Sequence, residues 1–160
     1  MTWRIGQGYD LHRLAAGEEL VLGGIMLDSP LGTVAHSDGD VLLHALCDAL
    51  LGAVGLGDIG RHFPDSDPTY QGISSRELLR QVVSLVDTAG FSINNIDSTI
   101  IAEAPKLAPH VDQMCKKIAG DCEIPVSAVN VKATTNERLG PEGRQQAISA
   151  QVVVLLESQG

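Results

Sequence analysis

The stretch DVLLHALCDALLGAV, residues 40–54, decides the fold of this chain. Apolar residues cover nearly every face of the helix that this stretch predicts, which indicates a helix packed on more than one side. Asp40 is a residue type that caps helix N-termini, and Gly55 and Gly57 mark the end. One imidazole, that of His44, lies inside the apolar run, where it is costly to bury without a partner. We therefore expect a central helix that carries one functional side chain.

Short strands and helices alternate on both sides of this helix. Alternating apolar residues predict a first strand from Trp3 to His12, and apolar triplets around Gly23-Gly24 predict a small hairpin. Residues 58–68 are rich in Gly, Pro and Asp and predict a loop. A capping box of the form Ser74-x-x-Glu77 precedes the next helix. Further strands are predicted at 96–102, 129–133 and 147–156, and a helix at 109–119.

This order of elements predicts an α+β fold, a two-layer sandwich in which helices cover one face of a mixed β-sheet. The 160 residues suffice for one domain. Cys47, Cys115 and Cys122 show no C-x-x-C spacing and are expected to be reduced and structural.

The charge of the chain limits the kinds of molecule that it is expected to bind. The formal net charge is −9, with no Lys/Arg run, which disfavours nucleic acid. An anionic substrate would need local positive charge, and metal ions are its natural source. No apolar stretch is long enough to cross a membrane, and the start of the chain shows no targeting segment. We expect a protein of the cytoplasm, or of the plastid stroma if a transit peptide has been removed.

Three residues in the first 44 are spaced to share a metal ion. Asp10 and His12 point to the same face of a strand, and His44 lies one helical turn beyond Asp40. An Asp and two His leave one tetrahedral position open, which is typical of reactive zinc sites. The alternative is a surface Asp and two histidines satisfied by ordinary hydrogen bonds.

Two polar segments allow both structural and functional interpretations. The run HSDGD, residues 36–40, can be a turn that caps the central helix. It can also place His36 and Ser37 on substrate oxygens while Asp38 or Asp40 orients a metal-ligating imidazole. Residues 132–137 combine two hydroxyls with a carboxylate, which suits phosphate and a second divalent cation, or they form a plain strand-to-loop transition.

Five motifs span nearly the whole chain: GYDLH at 8–12, HSDGDVLLHALCDALLGAVGLGDIGRHFPDSDP at 36–68, SSRELL at 74–79, IIAEAPKLAPH at 100–110 and VNVKATTNERLG at 129–140. In this order they resemble the 2-C-methyl-D-erythritol 2,4-cyclodiphosphate synthase family. The resemblance implies one cyclodiphosphate synthase domain over residues 1–160. It also implies a lyase of the non-mevalonate isoprenoid pathway that cyclises 4-diphosphocytidyl-2-C-methyl-D-erythritol 2-phosphate and releases CMP. The family works as a homotrimer with active sites between adjacent subunits.

The resemblance also assigns roles by motif. Asp10, His12 and His44 are implied zinc ligands, and Glu137 is the implied ligand of a second cation, Mg²⁺ or Mn²⁺. His36 and Thr135 are implied in transition-state stabilisation. The methylerythritol phosphate is expected on Ser37, Asp58, Ile59, Gly60, Phe63, Pro64, Asp65, Ser66 and Asp67. The cytidine and phosphate pocket of the neighbouring subunit is expected on Ala102, Glu103, Ala104, Pro105, Lys106, Leu107, Ala108, Thr134, Thr135, Asn136 and Glu137, and Arg144 completes the substrate-binding set.

Two other functions stay open at this point. A zinc-dependent phosphoester hydrolase would use the same Asp and two His with water in the open position. A non-catalytic trimeric binding protein would keep the apolar helix but would not need Glu137.

Overall fold

The computed structural model describes residues 1–160, and its main feature is a five-stranded sheet of order β4-β1-β7-β5-β6. Only β5 and β6 pair in parallel; β1 is antiparallel to β4 and β7, and β7 to β5. A separate hairpin joins β2 and β3. The strands are β1 (Trp3–Ala16), β2 (Leu20–Leu22), β3 (Ile25–Leu27), β4 (Leu31–Thr33), β5 (Phe91–Ile101), β6 (Val129–Thr134) and β7 (Ala147–Ser158).

The helices lie on one face of this sheet, which confirms the predicted α+β sandwich with a mixed sheet. Helices and sheet share one hydrophobic core of 35 buried residues, and the three cysteines are buried and free. None of the helices has the length and apolar character needed to span a membrane. The helices are α1 (Val41–Ala53), α2 (Ile59–His62), α3 (Ser75–Thr88), α4 (Val111–Cys122) and α5 (Gly140–Gly143).

Two glycines of β1 allow α1 to lie directly against the sheet. A Cβ at Gly6 would come within 2.9 Å of Ala53 Cβ, and a Cβ at Gly8 within 2.8 Å of Ala49 N. Any side chain at these positions would therefore force the helix away from the strand. The close approach brings the imidazole of α1 over the second half of β1, where the two predicted ligands lie.

The opposite face of the sheet carries apolar side chains that no helix covers. We call this the open sheet face and define it by Trp3, Ile5, Tyr9, Leu11 and Val153, all exposed. Strand alternation explains the set, because the intervening β1 residues point toward α1. A contiguous apolar face of this kind is typical of a surface that meets another protein.

The loop predicted over 58–68 is wrong in part. Residues Ile59–His62 form a helical turn, and Pro68–Tyr70 form a 3-10 turn. Both are nucleated by aspartates: Asp58 accepts a hydrogen bond from the backbone N–H of Arg61, and Asp67 from that of Thr69. The composition typical of turns thus also supplied the caps of two very short helices.

The capping box is also wrong in its contacts, although the helix is where it was predicted. Ser74 precedes α3 but makes no side-chain capping hydrogen bond. The carboxylate of Asp38 instead accepts a hydrogen bond from the backbone N–H of Ser75, at 2.9 Å. A residue 37 positions away in the sequence therefore takes the place of the local cap.

Candidate functional site

A cleft of about 860 Å³ opens where β1 meets the N-terminal half of α1. Its walls come from β1, from the segment that follows β4, from α1, and from the segment between α2 and α3. Asp10, His12 and His44 all line it. The volume is that of a small-molecule binding site.

The three predicted metal ligands meet in this cleft, and their ligand atoms lie within 4.8 Å of one another. Asp10 Oδ2 lies 3.0 Å from His12 Nδ1 and 3.2 Å from His44 Nδ1. His12 Nδ1 is buried and makes no hydrogen bond of proper geometry, so a ring nitrogen faces the cluster without a partner. An unpartnered buried nitrogen beside a carboxylate oxygen and a second imidazole nitrogen fits a metal ion such as zinc. We call these residues the Asp-His-His group.

The electrostatics of the group favour an ionised carboxylate between the two rings. Burial alone would raise the pKa of Asp10, but the nearby imidazoles of His12 and His44 outweigh burial and lower it to about 2. Burial disfavours the charged form of His44, but Asp10 overrides it and raises the pKa of that imidazole. The carboxylate is thus in the state that binds a cation.

Outer contacts hold His44 from the side opposite Asp10. His44 Nε2 lies 2.8 Å from Ser75 Oγ and 3.2 Å from Ser37 Oγ. Ser75 Oγ in turn donates a short hydrogen bond to Asp38. Of the two aspartates predicted to orient an imidazole, Asp38 therefore contacts His44 through a serine. The side chain of Asp40 makes no hydrogen bond to the imidazole, and only its backbone oxygen contacts His44, accepting from the backbone N–H at 3.0 Å.

Asp40 has a structural task instead. It is fully buried and accepts hydrogen bonds from the backbone N–H groups of Gly23, Gly24 and Leu43. It thereby caps α1 and ties the β2–β3 turn to the helix. The sequence prediction that Asp40 caps the helix is confirmed, and the alternative that it orients an imidazole is wrong.

Most residues expected around the methylerythritol phosphate line the same cleft. Asp58 is the exception, since it caps α2 at the surface. Sequence reasoning missed Asp48, whose carboxylate accepts a hydrogen bond from the backbone N–H of Ile59 at 2.7 Å and so attaches α2 to α1. Those in the cleft are Ser37, Ile59, Gly60, Phe63, Pro64, Asp65, Ser66 and Asp67, and His36, expected to stabilise the transition state, lines it too.

The residues expected around cytidine form a second group outside this cleft. They follow β5 and β6, and β6 lies three strands from β1, about 14 Å across the sheet. Ala102 begins the group with a backbone hydrogen bond to Thr134 O. None of residues 102–108 and 134–137 lines the cleft. Arg144 does not line the cleft, and its Nε donates to Gln146 Oε1.

Glu103 organises the loop that carries Thr135 and Glu137. Its carboxylate accepts hydrogen bonds from the backbone N–H of Asn136, at 3.0 Å, and of Arg138, at 3.1 Å. Glu137 and Arg138 have positive φ angles of 53° and 60°, which cost non-glycine residues free energy. The carboxylate of Glu103 therefore supports a strained loop, and its oxygens are engaged by the chain itself.

The fold and the cleft define an α+β protein with an Asp-His-His group that could hold a metal ion in a small-molecule site. Residues 3–157 match the model of the YgbB family, and the chain belongs to that family. It is 58% identical over 153 residues to the 2-C-methyl-D-erythritol 2,4-cyclodiphosphate synthase of Azotobacter vinelandii, covering 96% of this chain and 98% of the relative. The synthase of the same name from Thioalkalivibrio sulfidiphilus is 57% identical over 155 residues, which are 97% of each chain.

Solved structures agree with this family. A 2C-methyl-D-erythritol-2,4-cyclodiphosphate synthase superposes with a TM-score of 0.90 at 41% identity, covering 96% of this chain and 100% of that one. IspF of Plasmodium falciparum in complex with CDP gives a TM-score of 0.87 at 34% identity, covering 99% and 97%. The bifunctional IspDF of Campylobacter jejuni gives 0.94 at 40% identity, covering 98% of this chain and 42% of that one. The resemblance of the sequence motifs to the synthase family is confirmed.

Proposed function

We propose that this chain catalyses the reaction for which its relatives are named, the metal-dependent cyclisation of 4-diphosphocytidyl-2-C-methyl-D-erythritol 2-phosphate. An oxygen of the 2-phosphate attacks the β-phosphorus, and the bond from that phosphorus to the oxygen of CMP breaks. The products are the cyclic 2,4-diphosphate and CMP. The observation that carries the proposal is the Asp-His-His group at the wall of a cleft of substrate size.

The chain's own charge opposes this substrate, so the ligand residues are central to the proposal. The formal net charge is −9, and the substrate carries several phosphate charges. Zinc on Asp10, His12 and His44, and Mg²⁺ or Mn²⁺ on Glu137, would offset the repulsion between the two phosphates and polarise phosphorus. His12 Nδ1, which is buried without a hydrogen-bond partner, supports the first assignment.

The remaining cleft residues bind and orient the substrate. His36 and Ser37 lie beside the Asp-His-His group, where their polar atoms can hold phosphate oxygens. Asp48 holds the α2 segment that forms the opposite wall. No protein base is required, because the attacking phosphate oxygen is already anionic. Holding attacker and target together in a closed pocket can contribute several kcal/mol, roughly 7 or more in well-aligned cases.

We further propose that the chain acts as a single domain, residues 1–160, in a homotrimer. The cleft of one chain contains no residue from the group expected around cytidine, so a neighbouring copy would have to supply that group, including Thr135 and Glu137. The open sheet face offers an apolar surface for such copies, and closed symmetric assembly is the usual outcome for identical chains.

Incubation of the purified protein with the cytidine diphosphate substrate, Zn²⁺ and Mg²⁺ tests the activity. We expect CMP and the cyclic diphosphate in the ³¹P NMR spectrum, and neither product with a chelator. Reaction in H₂¹⁸O separates the hydrolase alternative, because hydrolysis incorporates solvent oxygen and cyclisation does not. Absence of CMP with both metals supplied would contradict the proposal.

Variants test the ligand set. His44→Ala should remove bound zinc and activity, whereas His110→Ala, outside the cleft at the start of α4, should remove neither. Stoichiometric zinc in purified His44→Ala would show that the ligand assignment is wrong.

Light scattering tests the trimer. Ile5→Glu on the open sheet face should dissociate the assembly, and Met26→Glu, at another exposed apolar residue, on β3, should not. A wild-type protein that is monomeric at micromolar concentration would overturn the trimer proposal.

A further inference from the structure

Ser75 is a buried polar residue that the proposed reaction does not use. It is the first residue of α3 and has no solvent exposure. Its hydroxyl lies 2.8 Å from His44 Nε2 and donates a short hydrogen bond to Asp38 Oδ1. A buried hydroxyl between an imidazole and a carboxylate is in a position to select how the imidazole is protonated.

The directions of these hydrogen bonds follow from the number of protons available. A carboxylate only accepts, so the single hydroxyl proton of Ser75 goes to Asp38. Toward His44 the same oxygen then offers only a lone pair. Nε2 of His44 must therefore carry the hydrogen of this contact, which leaves Nδ1 as the ring nitrogen available to a metal ion. Nδ1 is the nitrogen that lies 3.2 Å from Asp10 Oδ2 in the Asp-His-His group.

The carboxylate of Asp38 is held in place by backbone hydrogen bonds, so it remains the acceptor of the Ser75 hydroxyl proton. Its Oδ2 accepts from the backbone N–H of Ser75 at 2.9 Å, and its Oδ1 accepts from the backbone N–H of Asp40 at 3.2 Å. The start of α3 and the start of α1 thus both fix the carboxylate. Ser37 also lies near His44 Nε2, at 3.2 Å, but it is partly exposed and faces the cleft.

We propose that Ser75, backed by Asp38, is a positioning residue that holds His44 as the Nε2–H tautomer with Nδ1 aimed at the metal. This rests on the proposed metal centre. It assigns to the loop before α3 a part in metal affinity, although neither Ser75 nor Asp38 touches the metal position. Partners of this kind typically change metal affinity by about 10- to 100-fold.

Zinc affinity, measured by competition with a chromophoric chelator, tests the assignment. Ser75→Ala should weaken zinc binding by about 10- to 100-fold. Ser74→Ala is the matched control, because the neighbouring serine is exposed and makes no side-chain capping bond; its affinity should stay at the wild-type value. An unchanged affinity in Ser75→Ala, or an equal loss in Ser74→Ala, would overturn the inference.

A second measurement uses the wild-type protein and depends on no variant. Long-range ¹H–¹⁵N correlation NMR of the zinc-loaded wild-type protein should show His44 protonated at Nε2 and ligated through Nδ1. The opposite pattern would refute the proposal even if Ser75→Ala were unstable. Failure of wild-type protein to bind zinc would instead contradict the metal centre itself, so the two failures are distinguishable.

Discussion

Gly8→Ala tests whether the contact between β1 and α1 creates the metal centre. The added Cβ would lie 2.8 Å from Ala49 N and closer still to the carbonyl oxygen of Ala45. Both are helix backbone atoms and cannot rotate away. Restoring an ordinary contact of 3.4 Å to Ala49 N alone moves α1 by about 0.6 Å, and metal–ligand distances tolerate about 0.2 Å. His44 is on α1, and Asp10 follows Gly8 by two residues on β1.

We therefore expect a double loss in Gly8→Ala. Overpacking should lower the free energy of unfolding by about 1–3 kcal/mol or more. Displacement of one ligand relative to the others should weaken zinc binding by at least about tenfold. Urea unfolding of the metal-free protein and chelator competition measure the two effects separately.

Gly52→Ala is the control, since it adds the same methyl group to α1 on its exposed side. Nothing lies within 4 Å of a Cβ at this position. Alanine replaces glycine inside a helix, so the variant should be more stable by about 0.5–1 kcal/mol with unchanged zinc affinity. If Gly8→Ala kept wild-type stability and zinc affinity, the close packing of α1 on β1 would not be what places the ligands.

Three further predictions concern the surroundings of the site. Burial, partly offset by backbone hydrogen bonds, raises the pKa of Asp40 to about 6. Between about pH 4 and 6 the native state therefore keeps a proton on Asp40 that the unfolded state has lost. The free energy of unfolding, measured with urea, should fall by on the order of 2 kcal/mol as the pH rises through this range. Asp40→Asn should remove most of this pH dependence. Glu103→Ala removes the two hydrogen bonds that hold the strained loop carrying Glu137. The Mg²⁺ concentration needed for half-maximal activity should rise by about 3- to 10-fold. An unchanged Mg²⁺ requirement would show that Glu103 does not position this loop for the metal. Asp48→Ala should raise KM by about 3- to 10-fold at unchanged zinc content, because the backbone N–H of Ile59 loses its hydrogen bond. Loss of bound zinc in this variant would show that Asp48 supports the metal centre instead.

The local sequence pattern correctly predicted the helices and strands whose apolar residues repeat regularly or whose ends are marked by glycine. The ends of α1, the β2–β3 hairpin and the last strand all agree with prediction within a few residues. The 58–68 segment was mispredicted because Gly, Pro and Asp occur both in turns and at helix caps. The cap of α3 was misassigned because the carboxylate of Asp38, a residue distant in sequence, accepts the hydrogen bond at the start of the helix and the side chain of Ser74 does not.

The candidate site was predictable where ligand spacing follows backbone geometry. Asp10 and His12 share a strand face, and His44 stands alone in an apolar helix, so their convergence could be expected. Ser75 and Asp48 carried no such signal. Each acts through one contact with a residue far along the chain, and such contacts depend on how helices pack.

The amino-acid sequence by itself determined the fold class, the three candidate ligand residues and, through its motifs, the family. These properties depend on residue type and short-range periodicity, both of which can be read directly from the sequence. Tertiary structure alone decided that α1 touches β1 closely enough to close the Asp-His-His group, and that Ser75 and Asp38 orient His44. It also decided that the residues expected around cytidine lie outside the cleft, at the end of the sheet three strands away from β1. The physical reason is that these relations depend on steric contact and hydrogen-bond direction between segments that are distant in sequence.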